Sequence, residues 1–347
     1  MSRMNSTSNL KRGQRGGAVK SFLIFIVVIG LIAGLLVGGG AYYAYREATN
    51  PGPSTEETII LLESGSAVST IAQKLGDDGV IKHPKLFVAA VRLRGVQSAL
   101  KAGEYRIPAG ASVMDVIDLL IEGKSILHFF TAAEGLTTAQ ILRLVESNET
   151  LEGEITLSPA EGELLPETFA FTRGETRDAI IKRMMDDQVA LLEELWPNRA
   201  MELPFANPQE AIILASIVEK ETGLPEERPQ IASVFVNRLK RGMRLESDPT
   251  IIYGLTKGEP LGRGIRLSEL RGETPYNTYV IKGLPPTPIA NPGRASIEAV
   301  LNPADTDYIF FVADGTGGHA FASTLREHNR NVASWRKIER ERAQQDG

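Results

Sequence analysis

Residues 21–45 read SFLIFIVVIGLIAGLLVGGGAYYAY, 25 positions without a charged side chain. At 1.5 Å per residue such a run makes about 37 Å of helix, enough to cross a bilayer core with some tilt. Five basic residues and no acidic one precede it: Arg3, Lys11, Arg12, Arg15 and Lys20. The positive-inside rule puts that end in the cytoplasm. Tyr42, Tyr43 and Tyr45 fall where an aromatic belt sits on the far side. A cleaved signal peptide is the competing reading. The run is long for one, and no clear small-x-small site follows it. A retained signal-anchor is therefore expected, with the N-terminus cytoplasmic and everything after Tyr45 outside the cytoplasm. Gly30, Gly34 and Gly38 recur every four residues. That suits a helix-pairing face, or simply the glycine content common in membrane helices.

The chain carries 38 basic and 43 acidic side chains; beyond residue 20 the balance is 33 to 43, a net of −10. An acidic body argues against nucleic acid as a partner, which needs a basic face. There is no cysteine, which removes thiol nucleophiles, Cys-ligated zinc and disulfides. A hydrophobic share of 42% excludes a fully disordered chain, and 347 residues suggest about two domains.

Asn50-Pro51-Gly52-Pro53-Ser54 cannot continue a helix, so a linker is expected over 46–56. A degenerate repeat follows. Gly65, Gly110 and Gly135 each open a helical pattern, with apolar residues at Ile71/Ala72/Leu75, Val116/Ile117/Leu120 and Ile141/Leu142/Val145. A short strand-like run precedes each glycine, around 58–62, 105–107 and 128–131. Strand, turn and amphipathic helix build a small α+β layer, as in the LysM glycan-binding module or in three ordinary β–α units. Gly123-Lys124-Ser125 imitates the end of a phosphate-binding loop, but the position that needs glycine is Asp118. Gly123 instead closes a helix as its C-cap. Residues 150–205 are less legible. They offer a carboxylate-rich stretch at Glu161, Glu163 and Glu167 and an amphipathic helix over 177–196.

Asn207-Pro208-Gln209-Glu210 opens the clearest helix: a cap, a proline for the first turn and a glutamate for a capping box. From Ala211 to Val218 only Ser216 is polar, so this helix is buried on all sides. Glu219 and Glu221 follow directly. Glu219 shares a face with Ile212, Ala215 and Ser216. Apolar surroundings and the negative end of the helix dipole both favour a neutral carboxyl there, which is what a general acid requires. The competing reading pairs Glu219 with Lys220, Arg228 or Arg238. On position alone Glu221 is an equal candidate.

No metal-ligand spacing and no serine nucleophile elbow occurs. His83, His128, His319 and His328 are scattered; one imidazole can orient a substrate, but each is read first as structural. A helix over 227–241 buries Ile231, Phe235 and Leu239 and carries Asn237 and Arg238. A short helix from Asp248 holds Tyr253. The stretch 274–293 has five prolines, which forbid regular structure. Its Tyr276, Asn277 and Tyr279 suit stacking on pyranose rings and hydrogen bonding to hydroxyls, or packing over the core. A β-hairpin around Asp314-Gly315 and a final helix over 325–342, anchored by Trp335, complete the chain.

Taken together, A-S-I-V-E-K-E-T at 215–222, V-F-V-N-R-L at 234–239, S-D-P-T-I-I-Y-G at 247–254, Y-N-T-Y at 276–279, G-L-P-P-T-P-I-A-N-P-G at 283–293 and G-G-H-A-F at 317–321 resemble the endolytic murein transglycosylase family of bacteria. The resemblance covers nearly all of the chain beyond the anchor, in order. It implies that Glu219 is catalytic. Substrate contacts are expected, on the Tyr and Asn chemistry together with the resemblance, from Glu221, Asn237, Arg238, Asp248, Tyr253, Tyr276, Asn277, Tyr279 and His319, and the implied reaction needs no metal and no organic cofactor. The departure lies at 161–169, where the family tends to place an aromatic or aliphatic residue at the position of Glu163. The division that follows is an α+β chain: a basic tail over 1–20, a transmembrane helix over 21–45, a linker over 46–56, a LysM-like module over 57–125, and a mixed α+β catalytic domain over 126–347 built on a buried catalytic helix.

The reaction implied by the resemblance cleaves the β-1,4 bond between N-acetylmuramic acid and N-acetylglucosamine inside nascent peptidoglycan strands, leaving 1,6-anhydro ends. One carboxyl gives its proton to the leaving oxygen and then takes the proton of the muramyl C6 hydroxyl, whereas most glycosidases use two carboxyls. The implied partners are glycan strands, the cell membrane and peptidoglycan synthases (penicillin-binding proteins). The other readings are a muramidase that uses water, with Glu221, Glu161 or Asp248 as its second carboxylate, and a non-catalytic glycan-binding scaffold for cell-wall synthases.

Overall fold

A computed structural model describes residues 15–345 and divides the chain into two units, one ending at Ile126 and the next beginning at Leu127. Arg3, Lys11 and Arg12 of the expected cytoplasmic tail lie outside the described residues.

The first unit opens with helix α1 (Arg15–Thr49). Among the described residues it is the one helix long and apolar enough to cross a membrane, over Lys20–Thr49. It starts before Ser21 and does not stop at Tyr45. Residues 46–49, expected to begin a linker, are its last turn, and Ala48 is buried in this unit's core. The helix ends where Pro51 has no N–H to give. The following residues are tied down rather than slack. Gly52 N–H donates to Gly110 O at 3.1 Å, and Gly110 N–H donates to Ser54 O at 2.8 Å. A Cβ on Gly52 would collide with the carbonyls of Ala111 and Val80.

Strand β1 (Thr58–Leu62) turns Ile60 and Leu62 inward and pairs antiparallel with β2 (Gly103–Ile107), Ile60 lying opposite Tyr105. Between them run α2 (Val68–Asp77) and α3 (Pro84–Arg94), and α4 (Val113–Glu122) follows. Helix α3 was not expected from the sequence. In the structure His83 is the residue before the helix, Pro84 lies in its first turn and Gly95 ends it at φ 68°, the arrangement in which proline's missing N–H costs nothing. The order is thus β-α-α-β with one further helix, packed on Leu75, Phe87, Tyr105, Ile117 and Leu120.

The repeat has a backbone cause. Gly65, Gly110 and Gly135 all have positive φ, at 77°, 69° and 75°, a conformation that costs glycine little. Each sits two residues before a helix cap, and Ser112 and Thr137 close capping boxes with Asp115 and Gln140. The third copy belongs to the second unit. Gly123 caps α4 in the left-handed conformation at φ 72°, as expected.

In the second unit β3 (Leu127–Thr131) pairs antiparallel with β4 (Thr168–Thr172). Helix α5 (Thr138–Glu146) lies between them in sequence, and α6 (Arg177–Leu195) follows, capped by Thr176. Phe130, Ile141, Phe171, Ile180 and Met184 fill this part of the core. A 3₁₀ turn at Trp196–Asn198 ends the expected 177–196 helix one residue early. A second core gathers α7 (Pro208–Glu221), α8 (Arg228–Lys240), α9 (Asp248–Thr256) and α11 (Arg294–Leu301), with the short α10 (Leu267–Leu270) at its margin. Residues 274–293 form no helix or strand. The hairpin of β5 (Phe310–Ala313) and β6 (His319–Ala322) is followed by α12 (Leu325–Gln345), whose Ile338 occupies the space a side chain at Gly315 would need. The architecture is a mixed helix-and-sheet fold.

Candidate active site

Helix α7 begins on Asn207, whose Oδ1 accepts from Glu210 N–H at 2.9 Å. The expected capping box is displaced by one residue: Glu210 Oε2 accepts from Ala206 N–H at 2.8 Å. Every residue from Ala211 to Val218 is buried, as an unbroken apolar run requires. The lone hydroxyl in that run is used twice. Ser216 Oγ donates to Ile213 O at 2.7 Å and accepts from Ile289 N–H at 3.0 Å. It therefore fastens the irregular 274–293 segment to the helix.

Glu219 lies at the end of this run with its side chain only 5% exposed. Its Oε2 accepts from Gly293 N–H at 3.0 Å, and its Oε1 is 3.6 Å from Arg228 Nη2. The pairing with Arg228 weighed from sequence is thus present, and the residue is also withdrawn from water. The same Arg228 Nη2 is 3.4 Å from Glu134 Oε2. Burial, then the Glu219 charge, raises the Glu134 carboxyl above its usual range, and Arg228 opposes both. The Glu134 carboxylate occupies the space a Cβ on Gly293 would take. Lys220 Nζ donates to Gly135 O at 3.1 Å and so ties the turn that carries Glu134 to α7.

Glu221, two residues on, points elsewhere around the helix. It accepts from Ser247 Oγ at 2.5 Å. Burial pushes its carboxyl up to about 7; the Ser247 hydrogen bond opposes this and the charge of Asp248 adds to it. Asp248 in turn accepts from Tyr279 OH at 2.7 Å. His319 is held at both ends by Glu227: its N–H donates to Oε1 and its Nδ1 meets Oε2, each at 2.7 Å. Its ring stands edge-on to Phe311 at 5.3 Å between centroids.

Three of the expected substrate residues make structural hydrogen bonds. Asn237 Nδ2 donates to Thr306 O and Tyr308 O. Asn277 Nδ2 donates to Glu269 O, Leu270 O and Gly272 O. Arg238 donates to Ile309 O and Leu245 O and pairs with Glu246. These bonds tie irregular backbone to the neighbouring helices. Tyr253 and Tyr276 do come together, their rings 4.9 Å apart, with Lys257 Nζ 4.8 Å from the centre of Tyr276. Tyr253, Lys220 and Gly135 also line a cavity of about 400 Å³ together with Pro260, Leu261 and Arg263.

Sequence reasoning missed Glu134 and Asn291. Glu134 directly precedes the third repeat glycine, the one signal that marked it. Asn291 is fully buried and joins three segments. Its Oδ1 accepts from Gly162 and Leu164 N–H, both at 3.1 Å, and its amide donates to Leu136 O and Thr138 Oγ1, also at 3.1 Å. Glu161 joins this network, accepting from Thr138 N–H at 2.7 Å and Tyr253 OH at 3.1 Å. Burial raises its carboxyl, while those hydrogen bonds pull it back.

A withdrawn carboxylate that faces an arginine and a backbone N–H, beside a cavity edged by tyrosine and lysine, can exchange a proton with a bound hydroxyl or ether oxygen. Such a site on a mixed α+β body with an N-terminal apolar helix belongs to a definable class. The YceG-like family model matches residues 60–334, and the chain belongs to that family. It is 32% identical over 330 residues to an endolytic murein transglycosylase of Bacillus subtilis, covering 85% of this chain and 90% of that protein. It is 28% identical to a protein of the same name from Streptococcus pneumoniae, covering 91% of this chain but only 65% of the longer relative. A crystal structure of a YceG-like protein from Listeria monocytogenes is 29% identical, covers 80% of this chain and 99% of that one, and superposes with a TM-score of 0.48.

Proposed function

We propose that the protein is a membrane-anchored endolytic lytic transglycosylase of peptidoglycan, with Glu219 as its acid and base. The observation that carries this reading is the Glu219 carboxyl, buried at the end of an apolar helix. Protonated Glu219 gives its proton to the oxygen leaving the muramyl C1. The C6 hydroxyl oxygen bonds to C1 and its proton passes to the Glu219 carboxylate. The C1–O bond breaks, a 1,6-anhydro ring closes, and no water is consumed. The relatives named endolytic murein transglycosylases support the substrate class. The β-α-α-β order of the first unit supports a LysM-like glycan-binding module over 57–125. The apolar span Lys20–Thr49 supports an anchor in the cell membrane, which would hold the enzyme beside strands emerging at that surface and near their synthases.

A second reading, hydrolysis by two carboxylates, is favoured by one observation: Glu134 shares Arg228 with Glu219. Mass spectrometry of glycan strands incubated with the purified protein separates the two. Anhydro ends are expected, with at least about a hundredfold loss in Glu219→Gln and much of the activity retained in Glu221→Gln. New reducing ends would establish a muramidase, no new ends a binding scaffold, and full activity in Glu219→Gln would end the proposal.

A further inference from the structure

Arg228 is a strong cation in a weak grip. Its side chain is 10% exposed, and one nitrogen, Nη2, reaches both Glu134 at 3.4 Å and Glu219 at 3.6 Å. Its Nε has no hydrogen-bond partner among the described residues. A guanidinium locked on one carboxylate would make two short parallel bonds near 2.8 Å; this one is shared and locked on neither. The proposed reaction asks Glu219 to be an acid first and a carboxylate afterwards. An arginine facing Glu219 alone would hold it ionised and would be left as an uncompensated buried charge whenever Glu219 took a proton.

We infer that Glu134 is a positioning residue that holds Arg228 in partial neutralisation through both protonation states of Glu219, so that the arginine neither locks Glu219 as a carboxylate nor loses its partner when Glu219 is neutral. The inference rests on the catalytic reading of Glu219 given above. Glu134 is well placed for it: its side chain is 42% exposed, so it reaches solvent while its Oε2 faces the arginine. The charged groups around the pair are few. Glu134 faces Glu219 from α7, Arg228 from α8 and Glu167 from the residue before β4. Glu219 faces Arg228 and the Gly293 N–H, and Lys220 anchors the Glu134 turn through Gly135 O. The raised Glu134 carboxyl, caused by burial first and by Glu219 second, agrees with two carboxylates that feel each other. The Glu134 carboxylate also lies against Gly293, the residue whose N–H donates to Glu219.

Removing the charge of Glu134 would leave Arg228 to Glu219 alone and hold Glu219 ionised to lower pH. The test uses the full chain in detergent, with strand cleavage followed across pH for wild type, Glu134→Gln and Glu134→Asp, and folding checked by circular dichroism. In Glu134→Gln the alkaline limb of kcat is expected to move down by about one pH unit, the effect of one partly screened neighbouring charge. That is about a tenfold loss above the limb and a near-normal rate below it, with KM little changed. Glu134→Asp keeps the charge on a shorter arm and should move the limb less. A limb that stays in place, or an equal loss at every pH, overturns the inference. Complete loss at every pH in a folded Glu134→Gln would instead make Glu134 an obligatory second carboxylate, which also overturns it. Should Glu134→Gln not fold, an unmoved limb in Glu134→Asp decides against it. Wild type that cleaves no strand at any pH would remove the catalytic reading itself, a result distinct from an unmoved limb.

Discussion

Asn291→Ala tests whether the buried amide network holds the site together. Asn291 Oδ1 is the acceptor for the N–H groups of Gly162 and Leu164, each at 3.1 Å. Truncation leaves those two buried donors without it. The Leu136 carbonyl is spared, since it still accepts from the Asn291 backbone N–H at 2.9 Å, and Glu161 keeps its bond from Thr138 N–H. Two orphaned donors at about 1–3 kcal/mol each give about 4 kcal/mol, and water entering the vacated space returns part of it. For a unit of this size that corresponds to a fall in Tm of roughly 5–15 °C. Thermal melts followed by circular dichroism measure it. Asn291→Asp is the informative companion. It keeps both acceptor sites but sets a carboxylate beside Glu161, so its destabilisation should grow as pH rises and both groups ionise. A loss under about 1 kcal/mol in Asn291→Ala would refute the account of this network as the tie between the 161–164 loop and the 291–293 segment.

Stability should also depend on pH through Glu221. Its folded carboxyl is raised from 4.5 to about 7, so between those values the folded chain keeps a proton that the unfolded chain has lost. The stability it contributes is present below about 4.5, falls as pH rises and is gone above about 7. Melts across this range should show that slope, and Glu221→Gln should flatten it; an unchanged slope would contradict the burial argument. Protease treatment of spheroplasts should digest the body of the protein and spare an N-terminal tag, and a protected body would refute the proposed orientation.

What the sequence made legible was local. Asn207, Pro208 and the apolar run fixed α7 almost to the residue, and the turn glycines at 65, 110 and 135 marked three helix starts because positive φ leaves a compositional trace. The unbroken apolar run before Glu219 announced its burial, but position alone did not separate it from Glu221; only the family resemblance singled it out. The invisible parts were non-local. Nothing near Asn291 announces that it meets residues 162 and 164, and nothing near Glu134 announces Arg228. Asn237, Asn277 and Arg238 carry the same polar groups whether they face a sugar or a backbone carbonyl, and only the fold assigns them to the carbonyls. Helix α3 escaped notice because His83-Pro84 signals a turn and a helix start equally well.

The last turn of α1 has a mechanical consequence. Ala48 is packed into the first unit and the next residues are bonded to its Gly110 turn, so the helix joins its domain as a beam joins a wall, without a hinge. Its 35 residues make a rod about 52 Å long. In the proposed anchor, a tilt of the apolar stretch would therefore be carried into the first unit rather than absorbed by a slack linker.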